Sequence, residues 1–379
     1  TLWHTLSLHD ALPISYAGGV FFTETGRDLS QYNVLTFWAK ASQAVPIGEI
    51  GFGNDLGENK YVVSISNLKL STNWEKYLIP IPDPEKLTSE KGLFWYSAGN
   101  IDGNGFSFWI DEVKYEKLGT VAHPQYNIYY GEEKTLTSYT GVTTKIDGLT
   151  SGLNMPTGIN QIVNATSAYF EFASSDESIA TVDKFGTVEV IGGPGNAEIT
   201  ATVGGIEAEG ALIVESKGDF PHPTTPARPA EDVISVFSDA YSNVPVDYYN
   251  GYWEPYQTTL SADFEVNNNH ILHYYEFNFV GIQTSPVDAT SMTHLHVDIY
   301  LPNDIAAASQ FKIELNDNAG GGGGAYTHTI QTSQSQQWIS LDIPLTSFAG
   351  LSGRTALWQI VFSSNNIQSF YADNIYFHK

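Results

Sequence analysis

Short runs in which apolar and polar residues alternate recur along the chain, and clusters of Gly, Asn, Asp and Pro separate them. Examples are residues 35–41 (LTFWAKA), 60–66 (KYVVSIS) and 106–115 (FSFWIDEVKY). A period of two puts the apolar side chains on one face of a strand, and helical periodicity is almost absent. The pattern therefore predicts an all-β chain that folds as consecutive β-sandwiches.

Turn-rich segments divide the chain into three such sandwiches. We expect the first to cover residues 16–118, the second residues 121–215 and the third residues 230–379. The segment before the third, residues 216–229, is rich in proline and threonine. That composition is typical of a semi-extended spacer between two domains.

The first fifteen residues do not fit the pattern. Residues 5–14 read TLSLHDALPI, which resembles one reading frame of a common short-read sequencing adapter. We therefore interpret residues 1–15 as an adapter artefact and leave them out of the fold prediction, as for any sequence scar.

The first and third segments repeat each other. The motif W-x4-I-P occurs at residues 74–80 and again at 338–344. Residues 109–115 (WIDEVKY) then match residues 371–377 (YADNIYF). The two sandwiches should share one architecture. Because fewer residues precede the first copy than the second, we expect the first sandwich to lack its opening strands.

The middle segment carries a motif of its own. Residues 174–205, SSDESIATVDKFGTVEVIGGPGNAEITATVGG, alternate short apolar runs with polar turns. The apolar side chains can fill the core of a small sandwich: Ile179, Val182, Val188, Val190, Ile199 and Ala201. The motif resembles the bacterial immunoglobulin-like domain of group 2. The resemblance implies an Ig-like domain that serves as a spacer or an adhesion module.

The net charge of the chain argues against some classes of binding partner. The chain carries 42 Asp and Glu against 17 Lys and Arg, a formal net charge of −25. Such an acidic chain repels phosphate backbones, so we expect no nucleic-acid partner. No apolar run approaches the ~18 residues of a transmembrane helix. The chain has no cysteine, which excludes thiol catalysis, thiolate metal centres and disulfides.

The outer segments raise the question of carbohydrate. The W-x4-I-P strand, the terminal strand and residues 233–247 (VISVFSDAYSNVPVD) resemble the jelly-roll carbohydrate-binding modules of secreted bacterial glycoside hydrolases of the β-glucanase and laminarinase type. The resemblance implies the order jelly roll, Ig-like domain, jelly roll. It also implies polysaccharide binding outside the cell or at its surface. The alternative is a cell-surface adhesion or structural protein with the same domains.

Two catalytic motifs are missing from the sequence. It contains neither the E-x-D-x-x-E strand of a retaining β-glucanase nor the G-x-S-x-G element of a serine hydrolase. We therefore expect the chain itself not to be an enzyme, although it could be a fragment of a larger glycoside hydrolase.

Sugar binding requires exposed aromatic rings, which stack on the sugar, flanked by amides and carboxylates. Residues 247–257 (DYYNGYWEPYQ) are too broken by Gly and Pro for a core strand. We predict stacking residues in this segment and in two other aromatic stretches: Tyr249, Tyr252, Trp253, Tyr256, Tyr275, Trp95 and Tyr96. Four tryptophans within apolar alternation are instead predicted for the core: Trp74, Trp109, Trp338 and Trp358.

The third segment is poor in cations. From residue 230 onward its basic residues are Lys312, Arg354 and Lys379. Anionic glycans need more cationic side chains than this. The sequence therefore favours a neutral polysaccharide of the β-glucan type.

One aspartate in each terminal strand stands among apolar residues. Strict alternation puts Asp111 on the face of Trp109 and Tyr115, and Asp373 on the corresponding face of the other copy. A carboxylate there is costly unless it is paired or coordinated, and Ca²⁺ prefers oxygen ligands. The resemblance to carbohydrate-binding modules implies a structural calcium at the terminal-strand aspartate, with Asp239 as the partner of Asp373 and with Asp111 as the candidate ligand in the first copy. The alternative is an aspartate that accepts hydrogen bonds from backbone amides.

Overall fold

In a computed structural model, the described part of the chain is nearly all β, as the sequence predicts. The structure describes residues 4–6, 16–119, 121–320 and 322–379. The predicted adapter artefact lies outside the described residues, apart from the backbone of His4–Leu6. The chain divides into two compact units, Thr1–Gly218 and Asp219–Lys379. Short 3₁₀ turns occur at Pro84–Lys86, Tyr129–Gly131, Ser167–Tyr169, Ala230–Asp232, Thr332–Gln334 and Leu345–Ser347.

The first half of Thr1–Gly218 is a β-sandwich. Its strands are β1 His4–Leu6, β2 Tyr16–Arg27, β3 Val34–Ala41, β4 Val45–Phe52, β5 Val63–Leu70, β6 Glu75–Pro80, β7 Glu90–Gly99 and β8 Phe108–Glu116. One sheet has the order β1-β8-β3-β6, and the facing layer has the order β5-β4-β7-β2. Apolar side chains from both layers, Phe37 and Ile47 among them, are fully buried between the sheets.

The second half of this unit contains shorter strands. They are β9 Ala122–Asn127, β10 Glu133–Ser138, β11 Thr143–Lys145, β12 Thr150–Asn154, β13 Asn160–Ala165, β14 Glu171–Ser174, β15 Ala180–Val182, β16 Thr187–Val190, β17 Gly195–Val203, β18 Ile206–Glu209 and β19 Ala211–Ser216. One layer runs β10-β19-β17-β18-β9-β12-β13, with β14 on β17, and the other runs β11-β16-β15.

The two halves share a sheet and a core. Strand β13 pairs with β5, with Asn164 opposite Ser64, so the layers of both halves form one continuous sheet. One buried core contains side chains of both halves, from Leu35 to Val214. The sequence predicts two separate sandwiches here, whereas the structure joins them in a single compact unit. Pairing with β13 satisfies backbone groups that β5 would otherwise expose at the edge of its sheet.

Asp219–Lys379 is the second sandwich unit. Its strands are β20 Val233–Phe237, β21 Val246–Tyr248, β22 Leu260–Val266, β23 Asn269–Tyr275, β24 Phe279–Val287, β25 His294–Tyr300, β26 Gln310–Asp317, β27 Gly322–Thr329, β28 Trp338–Pro344, β29 Leu357–Ser364 and β30 Ser369–His378. One sheet has the order β22-β23-β30-β25-β28, with β20 also on β30, and the other has the order β21-β24-β29-β26-β27.

The sequence repeat is also a repeat of strand register. Leu35 of β3 lies opposite Tyr115 of β8, and the matching Leu295 of β25 lies opposite Phe377 of β30. The neighbouring strands β6 and β28 pair with β3 and β25 in the same way. The sheets β8-β3-β6 and β30-β25-β28 are therefore two copies of one arrangement.

Both copies of the terminal strand have a bulge at the same position. Glu112 in β8 has φ 50° and Asn374 in β30 has φ 51°. The preceding aspartate accepts the N–H of the bulged residue, at 2.7 Å in Asp111 and 2.6 Å in Asp373. The bulge corrects the predicted alternation, because an extra residue reverses the face of the residues after it. Ile375 is buried in the core, whereas Asp373 lies on the outer side of the sheet.

The predicted spacer does not stand free of the second unit. Residues 219–226, which we call the strap, lie on the outer face of the sheet β22-β23-β30-β25-β28. Phe220 is only 2% exposed. Three rings surround it at centroid distances of 5.2 to 5.3 Å: Phe264, Tyr300 and Tyr371. Trp338 Nε1 donates to the carbonyl oxygen of Pro221. Burial of the Phe220 ring holds the strap against the sheet.

Replacing Phe220 by alanine should destabilise the second unit, because the change removes a buried ring. Such truncations cost about 3–5 kcal/mol in the free energy of unfolding. Denaturant unfolding of the intact chain measures the loss. Thr224→Ala, an exposed strap position, is the matched control and should cost under about 0.5 kcal/mol. Equal stability of both variants would show that the strap is undocked in solution.

Candidate functional site

Strand alternation decides which side chains reach the outer face of the sheet β21-β24-β29-β26-β27. In β24 the side chains of Val280 and Ile282 are fully buried, which leaves Gly281 and Gln283 facing outward. The same rule directs amide and charged side chains outward from β26 and β29: Lys312, Glu314, Asn316 and Gln359. This face is therefore polar, although the strands that form it are rich in apolar residues.

Three amide side chains form a row across the face. Gln283 lies opposite Gln359, and Gln359 opposite Asn316, on adjacent strands. Gln359 Nε2 donates to Gln283 Oε1 at 2.9 Å, and Asn316 Nδ2 donates to Gln359 Oε1 at 3.4 Å. The Tyr248 hydroxyl donates to Gln283 Oε1 at 2.8 Å, and Gln283 Nε2 donates to the Asp247 carboxylate at 3.0 Å. The row fixes the orientation of the amides before any ligand binds.

An indole ring covers the outward glycine of β24. A methyl group added at Gly281 would lie 2.2 Å from Cη2 of Trp253, so the ring rests on bare backbone. The Phe279 ring lies 6.1 Å away and is tilted by 31°. Trp253 is half-buried, whereas Tyr252 and Tyr256 are 56% and 78% exposed. We call the amide row together with Trp253 the amide face.

The loop that carries Trp253 is held by one buried amide. Asn250 Nδ2 donates to the Thr259 carbonyl oxygen at 3.2 Å, and its Oδ1 accepts the backbone N–H of Tyr252 at 3.2 Å. Gln257 Nε2 also donates to Asn250 Oδ1, while Gln257 Oε1 accepts the backbone N–H of Trp253 at 3.1 Å. These bonds position the indole ring despite the irregular backbone of the loop.

The amide face has little net charge. Lys312 Nζ forms an ion pair with Glu314 on the same strand. Asp247 accepts a hydrogen bond from Gln283. Each amide has two donor hydrogens and an oxygen with two lone pairs, and the row uses only part of this capacity. The amides can therefore form further hydrogen bonds with hydroxyl groups of a ligand. Lys312 is already paired with Glu314, so it is not available as a free cation for an anionic ligand.

Two further tyrosines of the second unit that were predicted to stack lie away from this face. Tyr249 packs against the core, with its ring 5.3 Å from Phe237, and its hydroxyl donates to the Val236 carbonyl oxygen at 3.1 Å. Tyr275 lies on the opposite sheet, where its ring is 5.3 Å from that of His273. The structure thus keeps Tyr252, Trp253 and Tyr256 in one loop, where the Tyr252 hydroxyl lies 3.2 Å from Ser261 Oγ of β22, and separates Tyr249 and Tyr275 from that loop.

The pair predicted in the first unit is divided between the two faces of β7. Tyr96 is buried against Phe108 in an edge-to-face contact with a centroid distance of 5.1 Å. Trp95 points the other way and is half-buried, and its Nε1 donates to the Phe52 carbonyl oxygen at 3.2 Å. Adjacent strand residues alternate in direction, so only Trp95 reaches the outer face.

The sequence prediction missed the amide row. Gln283, Gln359 and Asn316 stand at alternate positions beside buried apolar residues in VGIQT, LWQIVF and KIELND. That alternation was a usable signal, because amides at outward strand positions mark a polar face. Four tryptophans predicted for the core are also placed differently: Trp74 is exposed, and Trp109, Trp338 and Trp358 are half-buried. Trp74 and Trp338 stand at strand ends, where a period of two is too short to identify the inner face.

The predicted calcium ligands of the second unit line one cleft. This cleft has a volume of 520 Å³ and includes Asp239, Asp373, Asn267 and Asn269. Asp373 is buried, and its Oδ2 accepts a hydrogen bond from Asn269 Nδ2 at 3.2 Å. Asp239 Oδ2 accepts the backbone N–H of His270 at 2.7 Å. Among the described residues, no group of three His, Cys, Asp or Glu side chains could hold a metal ion.

The matching aspartate of the first unit has a simpler environment. Asp111 is half-buried and its Oδ1 accepts the N–H of Glu112. This is the backbone hydrogen bond that the alternative interpretation of the sequence anticipates. The same bond in Asp373 shows that bulge capping is common to both copies, whereas deep burial belongs to Asp373 alone.

One segment of the chain matches a family model. Residues 157–211 match the bacterial Ig-like domain (group 2), inside the segment for which the sequence predicts that domain. No curated protein matches the chain. In the part of the chain that the structure describes, no helix is long and apolar enough to cross a membrane.

Several solved structures are similar to the chain at low identity. The family 30 carbohydrate-binding module of a Clostridium thermocellum cellulosomal cellulase is 14% identical with a TM-score of 0.29, over 39% of this chain and 97% of the module. The family 11 module of another cellulosomal cellulase of that bacterium is 18% identical with a TM-score of 0.24, over 36% and 96%. SGBP-B from a xyloglucan utilization locus in Bacteroides uniformis is 12% identical with a TM-score of 0.27, over 95% and 99%. Similarities this low leave the ligand of the amide face to be inferred from its own geometry.

Asp373→Asn should change how stability depends on pH. Burial, with the nearby charges of Asp298 and Asp239, raises the pKa of Asp373 to about 7. Its folded pKa exceeds its unfolded pKa, so the stability present below about pH 4 is lost as the pH rises through 7. In calcium-free buffer, the free energy of unfolding of the variant relative to that of the wild type should therefore rise by roughly 2–4 kcal/mol between pH 4 and pH 8.

Thermal unfolding at both pH values measures this difference. Asp111→Asn is the matched control for loss of a bulge-capping carboxylate, because Asp111 accepts the same backbone N–H without deep burial. The prediction fails if wild type and Asp373→Asn lose stability in parallel as the pH rises.

Proposed function

We propose that this chain binds a neutral polysaccharide of the β-glucan type, without cleaving it, at the amide face of Asp219–Lys379. The observation that carries the proposal is the Trp253 ring, held on Gly281 beside a row of oriented amides. A sugar ring has an apolar face of C–H groups and a rim of hydroxyls. The indole suits the first and the amides suit the second.

The extent of the face favours a polymer. The polar row crosses β21, β24, β29 and β26, and adjacent strands are about 4.8 Å apart, so the row is on the order of 14 Å long. Exposed Tyr252 and Tyr256 add aromatic surface beside Trp253. A surface of this length offers contacts to several consecutive sugar units.

The charge distribution favours a neutral ligand. Lys312 is paired with Glu314, and the chain as a whole carries a net charge of −25. An anionic glycan would meet a repulsive field, and among the described residues of this face the cation Lys312 is already paired. A neutral glucan carries no charge and therefore is not repelled by the acidic chain.

The setting we propose is extracellular or at the cell surface. There the Ig-like segment at residues 157–211 would act as a spacer, and the chain would hold an associated glycoside hydrolase near its polymer. Binding rather than cleavage is the activity proposed for the chain itself.

We also propose a structural Ca²⁺ in the cleft that contains Asp239 and Asp373. Ca²⁺ takes six to eight oxygen ligands, including carboxylates, amide and backbone carbonyls, and water. Asn267 and Asn269 line the same cleft, and each side chain carries an amide oxygen besides its nitrogen. A bound cation would relieve the cost of ionising the buried Asp373 carboxyl. These residues therefore suit a calcium site in which the protein supplies two carboxylates and neutral oxygen ligands.

Trp253→Ala should weaken glucan binding, because it removes the ring on which the sugar is proposed to stack. Affinity electrophoresis of the intact chain in laminarin, barley glucan and xylan gels measures binding. We expect the dissociation constant to rise roughly tenfold or more. Tyr275→Ala, an aromatic truncation on the opposite sheet, is the matched control and should leave retardation unchanged. Absence of retardation of the wild type on every neutral glycan would defeat the proposal.

Calcium should raise the melting temperature of the second unit, and EDTA should reverse the effect. A ligand at a hundredfold excess over its dissociation constant adds about 2.7 kcal/mol of stability. Asp373→Asn should abolish the calcium response, and the exposed Asp304→Asn should retain it. If EDTA leaves the melting temperature of the wild type unchanged, Asp373 is not a calcium ligand.

A further inference from the structure

Tryptophans and a lysine share the outer face of the sheet β1-β8-β3-β6 in the first unit. Trp38 and Trp74 are 37% and 42% exposed, and Trp109 is half-buried. Lys40 Nζ lies 5.2 Å from the ring centre of Trp74 and 5.1 Å from that of Trp109. We call Trp38, Lys40, Trp74 and Trp109 the tryptophan face. Exposed aromatic rings gathered on one sheet face are typical of an interaction surface.

The second unit repeats three of these positions with an occupant in place, and the ring of Phe264 from β22 adds a further contact to that occupant. Lys40 lies opposite Trp109 in the strand pairing, as Tyr300 lies opposite Tyr371. Trp74 directly precedes β6, and its repeat partner Trp338 begins β28 opposite Tyr300. Three of the four positions of the tryptophan face, Trp74, Lys40 and Trp109, thus correspond to residues that touch the strap: Trp338, Tyr300 and Tyr371.

The strap shows what such a face accepts. The Phe220 ring meets Tyr300, Trp338 and Tyr371 edge-to-face, with interplanar angles of 61° to 87°. Trp338 Nε1 donates to the carbonyl oxygen of the next residue, Pro221. An acidic residue, Asp219, directly precedes the phenylalanine. The segment that the second unit holds is therefore Phe-Pro, with the exposed Asp219 directly before it.

We propose that the tryptophan face is a docking site for an extended polypeptide segment with the sequence Asp-Phe-Pro, like that of the strap. The phenylalanine ring lies between Trp74 and Trp109, where Trp338 and Tyr371 hold Phe220 in the second unit. The Trp74 indole N–H donates to the backbone carbonyl of the following proline. This interaction is independent of glycan binding at the amide face.

Charge complementarity supports this occupant. Within the described residues Lys40 makes no ion pair with a carboxylate, whereas Lys76 on the neighbouring strand is 2.7 Å from Glu116. Lys40 replaces the Tyr300 of the other copy, so a docked phenylalanine gains a cation–π contact instead of a ring edge. The aspartate before the phenylalanine then meets a cation that lacks a carboxylate partner.

The test uses the intact chain and a fluorescein-labelled peptide of residues 217–226, KGDFPHPTTP, followed by fluorescence anisotropy. The control peptide has the phenylalanine replaced by alanine. We expect saturable binding of the first peptide, and a dissociation constant at least about tenfold higher for the control. Trp74→Ala should weaken binding to a similar extent. Because Trp74 is exposed, its truncation should leave the circular dichroism spectrum and melting temperature unchanged.

Trp338→Ala is the matched variant in the second unit and should leave peptide binding at the tryptophan face intact. If Trp338→Ala removes binding and Trp74→Ala does not, the peptide exchanges with the strap, and the proposal is overturned. It is equally overturned if neither peptide binds, or if laminarin competes with the peptide for the face. Retardation of the Trp74→Ala and Trp253→Ala variants in glucan gels is measured in parallel. The comparison distinguishes a failure of the peptide-docking proposal from a failure of the glucan-binding proposal.

Discussion

Each sheet must bury one of its faces against the facing sheet, and this constraint governs the rest of the structure. In Asp219–Lys379 the Phe370 ring lies 4.7 Å from Phe277 and 5.0 Å from Phe311, deep between the two layers. Burial of Ile282 in the same core sends its neighbour Gln283 outward. The amide face therefore exists because the inner positions of its strands are occupied by apolar side chains. The packing of apolar side chains in the core thus determines which polar side chains reach the surface.

The outer faces of the two sheets in this unit have different roles. The amide face is polar, so its exposure to water carries little cost. The opposite face is aromatic, and exposure of its rings to water would be unfavourable. Phe220 and the strap cover that face, while the corresponding tryptophan face of the first unit leaves Trp38 and Trp74 exposed. One arrangement of strands thus supports a covered face in one copy and an accessible one in the other.

A small backbone feature links the aspartates to this architecture. The bulges at Glu112 and Asn374 free a backbone N–H, and the preceding aspartate accepts it in both copies. In the second copy the aspartate is also buried beside a cleft, which raises the pKa of Asp373 to about 7. The bulge explains why an acidic residue stands in a terminal strand. Asp373 lines that cleft together with Asp239, whereas Asp111 has the backbone hydrogen bond of the bulge alone among the contacts described.

The sequence by itself determined the all-β class, the Ig-like segment and the repeat, because a period of two and polar turns are local properties of a chain. It also indicated the aromatic loop that contains Trp253. Only the tertiary structure decided which rings are accessible. Trp253 rests on Gly281, and Phe220 lies among the rings of three other strands, so both positions depend on residues distant in sequence. Trp74 is exposed because nothing in the described part of the chain covers its ring fully. Alternation states that two faces exist, but the packing of one sheet against another decides which of them meets the solvent.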